Sequence, residues 1–381
     1  MIKTYKYKLY HSKNDDNLDQ QIKIACFIYN HCLQLKKRYY QRFNKGLNYF
    51  QLCKHVTKLK KLDKYNFFKK VDAQVIQEVL ERLEKSFEAF FNHKGKYPKL
   101  KSHEFFSSIT FKQTGYKLLE DNKVKIKKKI YRYFKSRPLG GDIKRVSIKR
   151  DSLGDYYICF TCLVMDRPKS ESAITKTAHR CGFDFGLKTF LTCSGGTKIE
   201  SPLYLHKSLK ELKKKSKQLS SKQKGSNNRK RAKLDLARLH KKIHNQRRDF
   251  LMKLSLNLVR KYDELYFEDL NLKGMQKLWG RKVSDLSFSD FINFLEYRCS
   301  EYDKKLIKID RWFPSSKKCS VCGYINNELK LSDRSWICPD CFTNHDRDLN
   351  ASINIYEAGS SASGVDQVSL DSFNKESSID C

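Results

Sequence analysis

The sequence predicts a multidomain α+β protein: a small split β-barrel with a helical insertion, then an α/β domain with an inserted cysteine module. Three observations predict it. A lone strand-like segment at residues 1–10 precedes a long stretch of helical periodicity, and short strand-like runs follow it. From Arg180 the character changes to strands alternating with long helices. Two closely spaced cysteine pairs then appear near the end of the chain. The 381 residues leave room for two or three domains of roughly 100–200 residues each.

The elements follow in order. Leu18, Ile22, Cys26, Tyr29 and Leu33 recur at the spacing of one helix face. Val71, Val75, Val79, Leu83, Phe87 and Phe91 fall every fourth residue, and Ile76, Leu80 and Phe90 widen the stripe into a helix–helix core. Residues 13–93 therefore form the helical unit, which ends in the basic turn His93-Lys94-Gly95-Lys96-Tyr97-Pro98-Lys99. Strands are expected at 105–112, 116–126, 128–134, 144–150 and 155–164. Gly115, Asp121-Asn122, Pro138-Leu139-Gly140-Gly141 and Gly154 separate them. With residues 1–12, the segment 94–170 would make the barrel. Ser170–Lys176 reads as a linker. The α/β domain is expected over 178–313 and 346–358, the cysteine module over 314–345, and a disordered Ser/Gly/Asp-rich tail over 359–381.

Composition narrows the function. Hydrophobic residues make up 39% of the chain, enough for a packed core, which excludes a wholly disordered polycation despite a mean hydropathy of −0.69. No run approaches the roughly 18–20 apolar residues of a membrane span. Met1–Tyr7 shows no signal-peptide core, so a cytoplasmic or nucleoid location is expected. The net charge is +36 and the pI ≈ 9.6, which calls for a large polyanion, a nucleic acid. Lys207–Arg248 holds 17 Lys/Arg against Glu211 and Asp235. Leucines and Ile243 punctuate that run, so it reads as two basic amphipathic helices broken near Gly225–Asn228.

Thirteen cysteines are present. Four have metal-site spacing: Cys319-x2-Cys322, then 15 residues, then Cys338-x2-Cys341. Four thiolates at this spacing hold Zn²⁺ tetrahedrally and leave no open position, so the role is structural. Gly323 suits the turn after the first pair, and Pro339 stiffens the second. Cys159 and Cys162 also stand three apart, but within a strand. They would face opposite sides, which argues against a shared metal.

Acids in the α/β half could carry chemistry. Asp184 lies in an apolar strand, Glu268 ends another, and Asp346 and Asp348 follow the second cysteine pair. Acids in apolar strands are costly unless paired or metal-bound. In so basic a chain they suggest a site for two Mg²⁺ or Mn²⁺ ions working on a polyphosphate backbone. Each acid has a plainer reading too: a strand-end turn for Asp184, a helix N-cap for Asp346 or Asp348.

In combination these segments resemble the transposon-encoded TnpB (OrfB) family, compact RuvC-type relatives of the type V CRISPR nucleases. The stretch Gly182-Phe183-Asp184-Phe185-Gly186-Leu187-Lys188 resembles the first RuvC motif of that family, and Tyr266-Phe267-Glu268-Asp269-Leu270 the second. The stretch from Pro314 to Gly323 resembles its zinc entry, and His345-Asp346-Arg347-Asp348-Leu349-Asn350-Ala351 its third RuvC motif. Ser352 departs from the more usual Ala. Further matches run through Asn30, through Lys99 and Lys101, and through the helical hairpin with Arg229, Lys230 and Arg247. The resemblance implies an RNase H-like (RuvC) domain with an inserted zinc ribbon. It implies Asp184, Glu268 and Asp348 as catalytic acids, and nucleic-acid contacts at Asn30, Lys99, Lys101, Arg229, Lys230 and Arg247. It implies an RNA-guided DNA endonuclease: a guide RNA from the transposon end, double-stranded target DNA cut beside a short transposon-adjacent motif, and one chain on one guide. Aromatic residues such as Tyr29, Tyr39, Tyr40 and Phe43 would either stack on bases or pack in the core. The alternatives are a catalytically idle DNA-binding protein and a guide-free nuclease or transposase.

Overall fold

Helical periodicity and strand alternation sort this chain into two compact units in a computed structural model, residues 1–166 and 167–381. The structure describes residues 2–164, 178–186, 189–271, 274, 277, 280, 285–330 and 332–362. The expected linker Ser170–Lys176, residues Leu187 and Lys188 of the first acidic motif, and the tail beyond Ala362 lie outside them.

In the first unit, β1 (Ile2–Lys8) is followed by α1 (Asp15–Phe43), α2 (Tyr49–Leu59), a 3-10 turn (Asp63–Lys70) and α3 (Ala73–Phe91). The apolar stripes close on one another: Leu18, Ile22 and Tyr29 of α1 and Val75, Val79 and Leu83 of α3 are buried in one cluster. Asp72 caps α3, accepting from the Gln74 N–H at 2.9 Å. The α2 helix carries no long stripe, so the sequence pattern did not separate it from its neighbours. Its start is fixed locally by the reciprocal cap of Asn48 and Gln51.

The short strands β2 (Ser108–Phe111), β3 (Tyr116–Leu119), β4 (Lys123–Ile126), β5 (Lys129–Arg132), β6 (Asp142–Arg150) and β7 (Tyr156–Leu163) follow. The stretch expected as one strand at 116–126 is the hairpin β3–β4, because Asp121 and Asn122 take φ of 55° and 56° and turn the chain. The N-terminal strand joins the later ones, as β1 pairs antiparallel with β7. The described strands do not close into one barrel. They form a four-stranded sheet, β1-β7-β6-β2, and a separate meander, β3-β4-β5, linked by the bridge Leu9–Tyr133.

The second unit is built on a mixed sheet ordered β10-β9-β8-β11-β12. Its strands are β8 (Arg180–Phe185), β9 (Thr189–Cys193), β10 (Lys198–Glu200), β11 (Glu264–Glu268) and β12 (Lys305–Ile309). Strands β8, β11 and β12 run parallel, β9 pairs antiparallel with β8, and β10 in turn pairs antiparallel with β9. The basic run forms α4 (Tyr204–Ser220) and α5 (Asn227–Lys261), broken at Gly225 with φ 88°. Helix α6 (Phe288–Tyr302) packs with α5 over Phe183 and Phe267 on one sheet face. Helix α7 (Arg347–Ala362) lies on the other, against Tyr266 and Ile309. It runs through Ser360, which is buried, so residues 359–362 are helical rather than part of a disordered tail.

Candidate active site and metal centre

Between β12 and α7 the chain forms two cysteine knuckles. The sulfurs of Cys319, Cys322, Cys338 and Cys341 all lie within 4.8 Å of one another. Two of the separations, Cys319–Cys341 at 3.6 Å and Cys322–Cys338 at 3.5 Å, approach the edge of about 3.8 Å implied by Zn–S bonds of about 2.3 Å in a tetrahedron. The first knuckle turns at Gly323, φ 83°, and its Cys319 carbonyl accepts from the Gly323 N–H at 3.0 Å. The second repeats the arrangement with Phe342 donating to the Cys338 carbonyl at 3.0 Å. His345, on β14 (Asn344–Asp346), places Nε2 3.0 Å from Cys319 Sγ. Its ring packs on Trp336 of β13 (Ser335–Ile337), and burial lowers its pKa. A neutral imidazole beside a thiolate is a common outer partner of a zinc ligand. The donor set fits Zn²⁺.

The acids gather at the end of the sheet. In the parallel pair β8–β11, Phe183 lies opposite Phe267. The next residues, Asp184 and Glu268, therefore sit at neighbouring positions. Strand alternation turns both toward α7, the face already met by Gly182 and Tyr266. A Cβ on Gly182 would stand 2.3 Å from the Ser352 carbonyl oxygen and 2.5 Å from the Tyr356 nitrogen. Glycine there lets α7 lie directly on β8, which brings Asp348, in the helix's first turn, to Asp184. Gly359 does the same under the Tyr266 ring, at 2.3 Å. Ser352 is fully buried in this contact and returns its hydroxyl to the Leu349 carbonyl at 2.7 Å, so a small residue suffices.

Burial, then the charges of Asp348 and Glu268, push the Asp184 carboxyl well above its usual value, with Arg347 offsetting in part. Burial pushes Glu268 up to about 7, against a hydrogen bond from Ser315. Neither acid forms an ion pair among the described residues. Mutually repelling carboxylates in a half-buried site are the donor set that a hard divalent cation relieves. Asp346 is arranged differently. Its Oδ1 accepts the N–H groups of Asp348 and Leu349 at 3.1 and 3.0 Å, and its Oδ2 pairs with Lys198 at 2.8 Å. Although burial works the other way, these partners hold its pKa below the usual value. Asp346 caps α7, and Asp348 faces Asp184.

With this geometry established, the relatives can be placed. Residues 162–278 match the family model OrfB_IS605, described as “Probable transposase”. Residues 288–355 match the Cas12f1-like TNB domain. A protein of Streptomyces pristinaespiralis, “Putative RNA-guided DNA endonuclease”, is 32% identical over 95% of this chain and 90% of its own length. The chain belongs to the TnpB (OrfB) family. A second relative with the same printed name, InsQ of Escherichia coli (strain K12), is 25% identical over 88% of this chain and 87% of its own. Among solved structures, the Cas12f1 chain of a complex with guide RNA and target DNA aligns with a TM-score of 0.58 at 14% identity. The alignment covers 93% of this chain and 98% of that one, a likeness of mixed α+β fold.

Several TnpB positions singled out for nucleic acid have protein partners. Asn30 donates to the Lys101 carbonyl at 2.7 Å and accepts the Lys101 N–H at 2.9 Å, fastening that loop to α1. Arg229 donates to the Leu219 and Lys222 carbonyls and closes the α4–α5 hairpin. Arg247 pairs with buried Asp285, which also accepts the Leu205 and His206 N–H groups at the start of α4. Tyr29 is buried in the core, whereas Tyr40 and Phe43 are exposed. Lys99 and Lys230 are exposed, and the Lys101 ammonium lies 4.5 Å over the Tyr29 ring. The structure adds one residue that sequence reasoning passed over. Arg334, just before β13, places Nη1 3.7 Å from Asp348 Oδ1. Its only sequence signal is its place between the two cysteine pairs, ahead of a strand that pairs with His345.

Proposed function

We propose that this chain is an RNA-guided DNA endonuclease of a transposable element. It hydrolyses phosphodiester bonds of target DNA beside a short transposon-adjacent motif. The observation that carries the reading is the acid cluster: Asp184, Glu268 and Asp348 converge from two strands and a helix in a chain of net charge +36. The name printed for the relatives matches it.

Asp184, Glu268 and Asp348 would hold two divalent cations, Mg²⁺ or Mn²⁺. When bound, these supply Lewis-acid stabilisation of charge on phosphate and lower the pKa of a water. Asp184 and Glu268, fixed on adjacent strands, set one side of the site. Asp348 closes it from the first turn of α7, where the helix N-terminus favours anions. The Arg334 guanidinium, mostly exposed and beside Asp348, is placed to take a non-bridging phosphate oxygen. The cysteine cluster holds Zn²⁺ structurally. The α4–α5 hairpin and the exposed lysines receive the guide RNA from the transposon end and double-stranded DNA, one chain to one guide. An idle protein has no use for three half-buried acids held against their own repulsion.

The test is to express the protein with several hundred base pairs of DNA downstream of its gene and sequence the RNA that copurifies. A discrete RNA whose scaffold matches the downstream transposon end is expected, and with it cutting of matched plasmid that vanishes in D184A while binding stays. Heterogeneous RNA, or none, would overturn guiding and leave a guide-free nuclease.

A further inference from the structure

Helix α7 carries Asp348 and, on its ribbon-facing side, a row of side chains that grip the zinc ribbon by its backbone. The Arg347 guanidinium donates to the Lys330 and Asp333 carbonyls at 3.3 Å each. Asn350 accepts the Ser320 N–H at 3.0 Å and donates to the Lys318 carbonyl at 2.7 Å, bracketing Cys319. One turn on, Asn354 donates to the Ser315 carbonyl at 2.8 Å and again to Lys318 at 2.6 Å. Both asparagines are almost wholly buried. With its Nδ2 committed to two carbonyls, Asn354 leaves Oδ1 buried without a partner. That orphan oxygen is unfavourable, and a leucine of similar volume would avoid it. A leucine would leave the knuckle carbonyls short of donors. The residues so gripped lead to the acids on both sides. Asn350 is two residues from Asp348, and the Ser315 hydroxyl is the side-chain hydrogen-bonding neighbour of Glu268.

We propose that Asn350 and Asn354 are positioning residues that tie the first zinc knuckle to the acid site, so that zinc occupancy sets the affinity of Asp184, Glu268 and Asp348 for divalent cations. This rests on the reading of those acids as a cation site. Because binding is reciprocal, filling either site then tightens the other. A zinc module described as structural thus becomes a control on catalysis: loss of its metal loosens Asp348 and Glu268 together.

The probe is Mn²⁺ added to the full-length protein, followed by the electron paramagnetic resonance signal of the free ion, with zinc content measured in parallel. A carboxylate site takes Mn²⁺, while four thiolates keep their zinc against it. D184N, the reference, should abolish the tight Mn²⁺ binding. N354A and N350A should weaken it about tenfold with zinc content unchanged, the scale of outer-partner losses at metal sites. Wild-type Mn²⁺ affinity in N354A, with D184N deficient, overturns the coupling and leaves the acid site standing. Unchanged binding in D184N overturns the acid site and the coupling with it. If N354A cannot retain zinc, stripping zinc from the wild-type chain decides. Mn²⁺ affinity must then fall by a similar factor, and an unchanged affinity overturns the proposal.

Discussion

The two ligand clusters of the second unit are built by opposite means. The four cysteines lie within 23 positions of one another, and two tight turns bring their sulfurs together. The three acids span residues 184 to 348 and meet only because a parallel strand pair and a helix pack as they do. The thiol cluster therefore depends on local turn chemistry. The acid cluster depends on the whole sheet, and repulsion works against it. Damage to the first should show as lost metal and stability, reaching the chemistry only through the contacts of α7, and damage to the second as lost chemistry in a folded protein.

The largest expected effect is on the acid side. D184N should lower target cleavage at least ~10⁴-fold while a gel-shift assay shows guide-RNA binding intact. Residual cutting within tenfold of wild type would remove Asp184 from the chemistry. On the thiol side, C338S should lose zinc, and its unfolding midpoint should fall by roughly 10 °C in a thermal melt. A normal melt with zinc absent would mean that the ribbon is held by its protein contacts alone. G182A tests the packing that joins the acids. The added methyl meets the α7 backbone, so cleavage should fall by about 10–100-fold and stability by about 3 kcal/mol or more. Full activity in G182A would show that Asp348 does not need α7 in this close position.

The same contrast explains what was legible in the sequence. Cysteine spacing alone points to zinc, since the ligands and their turns are one local pattern. Long stripes such as Val75–Phe87 gave helices, and alternation gave most strands. The pairing of Asp184 with Glu268 depends on strand register, which no local pattern records, so those acids were reached through the ordered motifs. Closure of the barrel was over-read: the β3–β4 turn and the separate meander depend on which strands find partners. Asn30, Arg229 and Arg247 read as nucleic-acid contacts, yet each satisfies a backbone or acid group of its own fold. Donors that serve the fold and donors left to solvent look alike in a basic sequence. Gly359 sat in a polar run that reads as tail, and only the Tyr266 ring beneath it reveals the helix.

The smallest effect bears on the cost of the acid cluster before any cation binds. Burial raises Glu268 to about 7 in the folded chain, from an unfolded value near 4.3. The folded state therefore holds a proton that the unfolded state has released between these values. The contribution of Glu268 to stability is fully present below about pH 4.3 and is lost as pH rises through 7, the reverse of an ion-paired carboxylate. E268Q cannot ionise and escapes that decline. In buffer free of added divalent cations, with zinc retained, E268Q should match wild type near pH 4.3. It should become more stable as pH rises to 7, by about 1–3 kcal/mol, and the gap should stay constant above that. Adding Mg²⁺ should shrink the gap, because a cation between the carboxylates stabilises wild type more than the amide. Urea unfolding at pH 4.5, 6 and 8 measures all three. A gap that is flat across the series would mean that Glu268 is solvated well enough to ionise freely, and that the strain of the site rests on Asp184 alone.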